Sequence, residues 1–190
     1  MVLYIMADYR GYRQVAHATY NEWRAATINN RYDVDYTPAS QPYQCWDYCA
    51  LLYFQYGLRL FTKTGGGVAA DCWNISRQAN SKPPFISLVG KQNIRRGDML
   101  VFDITPLSST GHIGFADEDY NGTDTIALLS ENWNGNTTVH VANKSLSNFL
   151  GIFRNTLWDM TPPTPTPEGT IKKRNFPWPV AWAHWDNFKN

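Results

Sequence analysis

The sequence predicts an α+β fold in which helices come first and an antiparallel sheet follows. Up to about residue 80, apolar residues recur at three- and four-residue steps, the period of an amphipathic helix. From about residue 96 they run in short apolar blocks bounded by Gly, Asn and Asp, the pattern of strands and hairpins. The two patterns are segregated along the chain, helices first and sheet afterwards, which is an α+β plan.

The first helix is expected over about Tyr12 to Ile28, where Tyr12, Val15, Ala16, Thr19, Trp23 and Ala26 fall on one side and Asn29-Asn30 stops the run. A polar loop from Arg31 to Gln44 leads to a second helix that begins at Cys45 and ends at Gly57. Beyond the Thr64-Gly65-Gly66-Gly67 loop, a short helical pattern passes through Ala69, Cys72, Trp73 and Ile75 and breaks between Asn80 and Pro84. Strands are then expected at Met99 to Phe102, after the Arg96-Gly97-Asp98 turn, and at His112 to Ala116. Asn121-Gly122 turns the latter into a strand over Thr125 to Trp133, since Asn-Gly between apolar runs is a strong hairpin signal. Thr137 to Val141 and Phe149 to Arg154 complete the sheet.

These elements form one unit over residues 1–160. A stiff Pro/Thr-rich linker follows over 161–169, and residues 170–190 carry Trp178, Trp182 and Trp185. That last stretch is too short to fold alone, and reads as a tail packing back or as the start of a truncated wall-binding region. With 190 residues there is room for one full core. A net charge of +1 offers no basic excess for nucleic acid. Three cysteines, an odd number, argue against a disulfide framework, and no His stands at zinc-finger spacing from them. The N-terminus is apolar for six residues only, so neither a signal peptide nor a membrane span is expected, and synthesis in a cytoplasm is. The chain is expected to be a monomer. Eight Trp and eleven Tyr serve either the core or the stacking of sugar rings.

Chemistry is expected at Cys45. A thiol at a helix N-terminus meets exposed amide groups and the positive end of the helix dipole, which favour the nucleophilic thiolate. A cysteine nucleophile needs a base and a group that orients the base. His112 suits the base, because it starts a strand directly after the small residues Ser108-Ser109-Thr110-Gly111. On the neighbouring strand, alternation puts Ser130 and Asn132 on one face and Glu131 and Trp133 on the other. Asn132 could accept the His112 Nδ1 proton and leave Nε2 for the thiol; equally, Asn132 and Asn134 could simply build a turn.

Four stretches occur in order: Gln44-Cys45-Trp46-Asp47 at a helix start, Arg96-Gly97-Asp98-Met99-Leu100-Val101-Phe102, Gly111-His112-Ile113-Gly114, and Leu129-Ser130-Glu131-Asn132-Trp133-Asn134-Gly135. Together they resemble the cysteine, histidine-dependent amidohydrolase/peptidase (CHAP) domain of bacteriophage endolysins and related cell-wall hydrolases, over roughly Ala7 to Trp158. The resemblance implies a papain-like fold and cleavage of amide bonds in bacterial peptidoglycan, leading to host lysis. It makes Cys45 the nucleophile, His112 the base and Asn132 the orienting residue. Many phage members carry Glu two positions before this Asn, where Ser130 stands here; Glu131 is adjacent but should point the other way. Gln44 is implied as a side-chain donor to the oxyanion, next to the Cys45 N–H.

The resemblance also implies a calcium loop before the cysteine. Asp33, Asp35 and Asp47 are its candidate ligands, oxygen donors of the kind Ca²⁺ prefers, and no organic cofactor is expected. The loop is not an EF-hand, which would want Gly and Glu where Pro38 and Gln44 stand. Trp46, Trp73 and Trp133 are candidate walls of a substrate groove. Such an enzyme would act on the wall after release from the host cell, or from a virion tail during entry. A non-catalytic wall-binding or tail protein and an NlpC-type peptidase are the other readings; the Asn132-Trp133 pair argues against the last.

Overall fold

Thr19 begins the first helix by turning its hydroxyl to the Glu22 N–H at 3.1 Å, while Glu22 Oε2 accepts the Ala18 N–H at 2.9 Å. The two bonds satisfy amide groups that no helical carbonyl reaches. Helix α1 runs Tyr20–Thr27, and Asn29 leaves it with φ at 66°. The computed structural model of the chain describes residues 17–34, 43–63, 68–106 and 108–158. The expected helix start at Tyr12, Asp35 of the acidic loop, the loop over 64–67, the linker and the Trp-rich tail lie outside them.

Helix α2, Cys45–Gln55, is buried along its whole length except at Trp46 and Phe54. An element apolar nearly all round belongs in the interior, and α2 lies against the sheet with Tyr48, Leu52 and Tyr53 almost fully covered. Gly57, at φ 67°, closes it: the N–H groups of Gly57 and Leu58 return to the carbonyls of Phe54 and Tyr53. The expected short helix around residue 72 is two single-turn pieces, α3 (Asp71–Asn74) and α4 (Arg77–Asn80).

Among the described residues six antiparallel strands make one sheet: β1 (Phe85–Leu88), β2 (Met99–Phe102), β3 (His112–Ala116), β4 (Thr125–Ser130), β5 (His140–Ser145) and β6 (Phe149–Asn155), in the order β1-β6-β2-β3-β4-β5. The α+β plan is therefore the one the sequence predicts. Three details differ. β1 is an additional edge strand, four residues long and too short for a period to show. β5 sits a few residues later than Thr137 to Val141, because its polar run His140 to Ser145 has little apolar signal. β4 stops at Ser130, not Trp133, which matters at the site below.

The sheet is covered on both faces. Met99, Val101, Ile113, Phe115, Leu129 and Phe153 face the helices, and Leu100, Phe102, Ala116, Ile126, Leu128 and Ile152 form a second cluster with Ile94 and Leu146. This explains why β2 reads as an unbroken apolar run. Much of the aromatic content is core: Trp23 is fully buried, stacked on Tyr48 at 5.5 Å and edge-on to Phe115 at 5.8 Å.

Candidate functional site

Cys45 is the first residue of α2, as its sequence position implies, and Asp47 fixes that helix start. Asp47 is completely buried; its Oδ2 accepts the Gln44 N–H at 2.8 Å and its Oδ1 the Val34 N–H at 3.0 Å. One carboxylate thereby caps the helix and ties the 31–34 segment to it. The thiol lies against the peptide that follows His112, within reach of the Ile113 N–H. Burial pushes it up to about 11; the amides of Ile113, Trp46 and Cys45 itself pull the other way with less effect. The expected thiolate at the helix end is thus corrected to a neutral thiol, because desolvation outweighs the helix terminus.

His112 is held by two glycines. Gly111, at φ 68°, lets the chain turn where any Cβ would collide with the Phe102 carbonyl oxygen. At Gly114 a Cβ would stand 2.7 Å from Ser130 Cβ, so a hydrogen there lets β4 bring Ser130 close. The Gly-His-Ile-Gly run is thereby a packing requirement as well as a motif. The His112 Nε2 and Ser130 Oγ are 3.0 Å apart, and the Trp133 ring lies over the imidazole with centroids 4.8 Å apart.

The predicted Asn132–His112 contact is not formed. β4 ends at Ser130 and Asn132 adopts φ 53°, so strand alternation does not extend to it. Ser130 takes the imidazole, and Asn132 Nδ2 donates to Gln44 Oε1 at 2.8 Å. The same break brings Trp133, assigned by alternation to the face away from Ser130, onto His112. Nε2 is thus the ring nitrogen that meets Ser130, and Nδ1 is the one that does not. Among the described residues no hydrogen bond joins Cys45 to His112; they meet through the His112–Ile113 peptide.

Lys144, which sequence reasoning missed, completes this cluster. Its ammonium stands 4.6 Å from the Trp133 ring centroid and 4.9 Å from that of Phe102. Burial first, then the Lys144 charge and His140, hold the His112 imidazole down to about 3. Nothing in a lysine on a polar edge strand signals that position; only the pairing of β5 with β4 shows it.

Glu131, next to Ser130, is also a buried acid. Its Oε1 accepts the Tyr32 N–H at 2.7 Å, and its Oε2 is buried with no hydrogen-bond partner among the described residues. Burial, with Asp47 and Asp33 nearby, pushes it up to about 8. It is therefore protonated at neutral pH, the state in which an uncompensated buried carboxyl is tolerated. Between the ordinary carboxylate range and pH 8 the folded chain holds a proton that the unfolded chain has lost, so stability falls as pH rises through that window. With one pKa unit worth about 1.4 kcal/mol, the loss from pH 6 to pH 9 is on the order of 2 kcal/mol, read from urea midpoints. Glu131→Gln, neutral at every pH and still accepting from Tyr32, is expected to remove that part of the slope.

The remaining predicted residues are placed as follows. Trp46 is half-buried on α2 beside Cys45. Trp73 is core: it packs over Gly151, where no Cβ would fit, and against Phe153 at 5.3 Å, with the Arg77 guanidinium 5.2 Å from its ring. An open cleft of about 360 Å³ is lined by Trp73, Asn74, Ile75, Arg77 and Gln78, and shares none of Cys45, His112, Ser130 or Asn132. Among the described residues no group of three or more His, Cys, Asp or Glu side chains could hold a metal. Asp47 has both oxygens on backbone amides, and Asp35 lies outside the described residues. Among the described residues no helix is long and apolar enough to cross a membrane.

No protein-family model matches the sequence, and no curated protein matches it. Solved structures do match. One is a wild-type endolysin, LysIME-EF1, with a TM-score of 0.55 at 18% identity over 73% of this chain and 64% of that one. Another is Ly7917 with the hydrolyzing product of MDP, with a TM-score of 0.50 at 13% identity over 72% of this chain and 60% of that one. This chain spans less than two thirds of either. At such identity the likeness is one of fold: the α+β architecture with its six-stranded sheet is similar to that of LysIME-EF1.

Proposed function

We propose that the chain is a peptidoglycan hydrolase of the endolysin type that cleaves an amide bond of the bacterial wall by thiol catalysis, as the CHAP resemblance implies. The observation that carries this is the meeting of Cys45, at the start of α2, with the peptide that follows a His112 held by Ser130. In this reading the resting pair is uncharged, and proton transfer accompanies attack. Cys45 Sγ adds to the amide carbonyl carbon as His112 Nδ1 takes the thiol proton, and the carbonyl π pair moves onto oxygen. That oxyanion is met by the Cys45 N–H and the Gln44 side-chain amide. Collapse breaks the C–N bond, and His112 returns the proton to the leaving amine. Water, giving its proton to the same imidazole, then adds to the thioester, and the thiol leaves reprotonated.

Ser130 orients the imidazole through Nε2 without adding a charge, where a carboxylate would stabilise the imidazolium further. Trp46 and Trp133 flank the site as candidate contacts for the stem peptide. Calcium has no step in this mechanism.

Digestion of purified bacterial walls, with the new termini identified by mass spectrometry, tests the reading. A new amine on a crossbridge or stem residue identifies an endopeptidase, and a freed stem N-terminal alanine identifies an amidase. Wall binding without new termini would overturn it in favour of a non-catalytic wall-binding protein.

A further inference from the structure

The Asn132–Gln44 hydrogen bond gives Asn132 a role other than orienting the base. Gln44 precedes Cys45, and its backbone N–H is pinned by Asp47 Oδ2 at 2.8 Å, so the residue has little freedom at its own Cα. Its side-chain amide is asymmetric: one end accepts and the other donates, and only the donating end stabilises an oxyanion. A half-turn of that amide would replace a useful donor by a repelling oxygen. Asn132 Nδ2 meets Gln44 Oε1 at 2.8 Å, and the half-turned amide would oppose two N–H donors. Asn132 can reach across because it sits in the left-handed region, φ 53°, just past the end of β4. Asn tolerates that conformation better than most residues.

We propose that Asn132 is a positioning residue for Gln44: it holds the accepting end of the Gln44 amide, so that the donating end is presented to the oxyanion formed when Cys45 adds to the scissile carbonyl. The inference rests on the thiol-hydrolase reading above. It assigns the orientation of His112 to Ser130 and that of the oxyanion donor to Asn132.

Four proteins test it: wild type, Gln44→Ala, Asn132→Gly and the double variant. Glycine is chosen at 132 because it keeps the positive φ while removing the side chain. The readouts are the rate of new-terminus release from purified walls and the rate of Cys45 alkylation by iodoacetamide against pH. Gln44→Ala is expected to lose roughly 100-fold in release rate, as for removal of an oxyanion donor. Asn132→Gly is expected to lose about 10-fold, the size of one neutral hydrogen bond, and the double variant no more than Gln44→Ala alone. Alkylation profiles should coincide in all four proteins, since the thiol and its base are untouched. Asn132→Asp, which offers no donor to Gln44 Oε1, should be no better than Asn132→Gly.

Full activity in Asn132→Gly overturns the proposal, as does a double variant whose loss is the product of the single losses. A shifted alkylation profile in Asn132→Gly also overturns it, because Asn132 would then act on His112. Wild-type protein that releases no termini, or Cys45→Ala that still releases them, would sink the enzyme reading itself and not this assignment alone.

Discussion

Replacing Cys45 by alanine is expected to lower wall cleavage by roughly 1,000-fold or more, the scale on which loss of a nucleophile is felt, while the chain stays folded. The fold should tolerate the change, because α2 is anchored elsewhere. Asp47 caps it through two backbone amides, and Tyr48, Cys49, Leu52 and Tyr53 carry its burial. Cys49 and Cys72 cannot take over, since both are fully buried and burial raises their thiols well above the ordinary range. Unchanged circular dichroism and urea midpoint, with new termini absent, is the expected result. Retained cleavage would remove Cys45 from the mechanism. A corollary concerns the resting thiol: with its pKa near 11, alkylation in the absence of substrate should rise about tenfold per pH unit through the neutral range.

The sequence carried the architecture of this site better than its wiring. Cys45 at a helix start, His112 at a strand start and the 130–133 stretch beside it were legible, because each depends on a local pattern: a loop-to-helix transition, a small-residue turn, an apolar run after Asn-Gly. Which side chain meets which was not. Alternation places Ser130 with Asn132, but that rule holds only while the strand lasts, and β4 stops at Ser130. Two positive φ values, at Asn132 and Asn134, then send Asn132 to Gln44 and Trp133 to His112. Asparagines in that stretch hinted at a turn, and a turn is where side-chain direction escapes the period-two rule. The charge state was hidden for another reason. A helix N-terminus is a local feature, whereas the burial that raises the Cys45 thiol comes from the sheet packed over it. Lys144 beside His112 belongs to the same class, a contact that exists only once β5 pairs with β4.

The largest stability effect is expected far from the thiol, at Arg154→Met. Arg154 on β6 reaches Asp98, just before β2, with Nε to Oδ1 and Nη2 to Oδ2 both at 2.8 Å, and Nη2 also donates to the Asn93 carbonyl at 2.6 Å. Asp98 is 2% exposed and Arg154 9%, so neither charge can turn to water. Asp98 Oδ2 also accepts the Arg95 N–H at 2.8 Å, which fixes the turn that launches β2. Removing one partner of a buried pair strands the other charge, at a cost of about 3–5 kcal/mol. For a domain of this size that corresponds to a fall in Tm of roughly 10 °C. Removing both charges is a different case, since the stranded ion then disappears: Asp98→Asn with Arg154→Met should recover at least half of the loss. Thermal and urea unfolding of the two variants check this, and a single variant within about 1 kcal/mol of wild type would mean the pair is solvated after all. The consequence reaches the site through the sheet. β2 lies between β6 and β3, and its Phe102 pairs with His112, so whatever loosens the β6–β2 edge loosens the strand against which the candidate base is set.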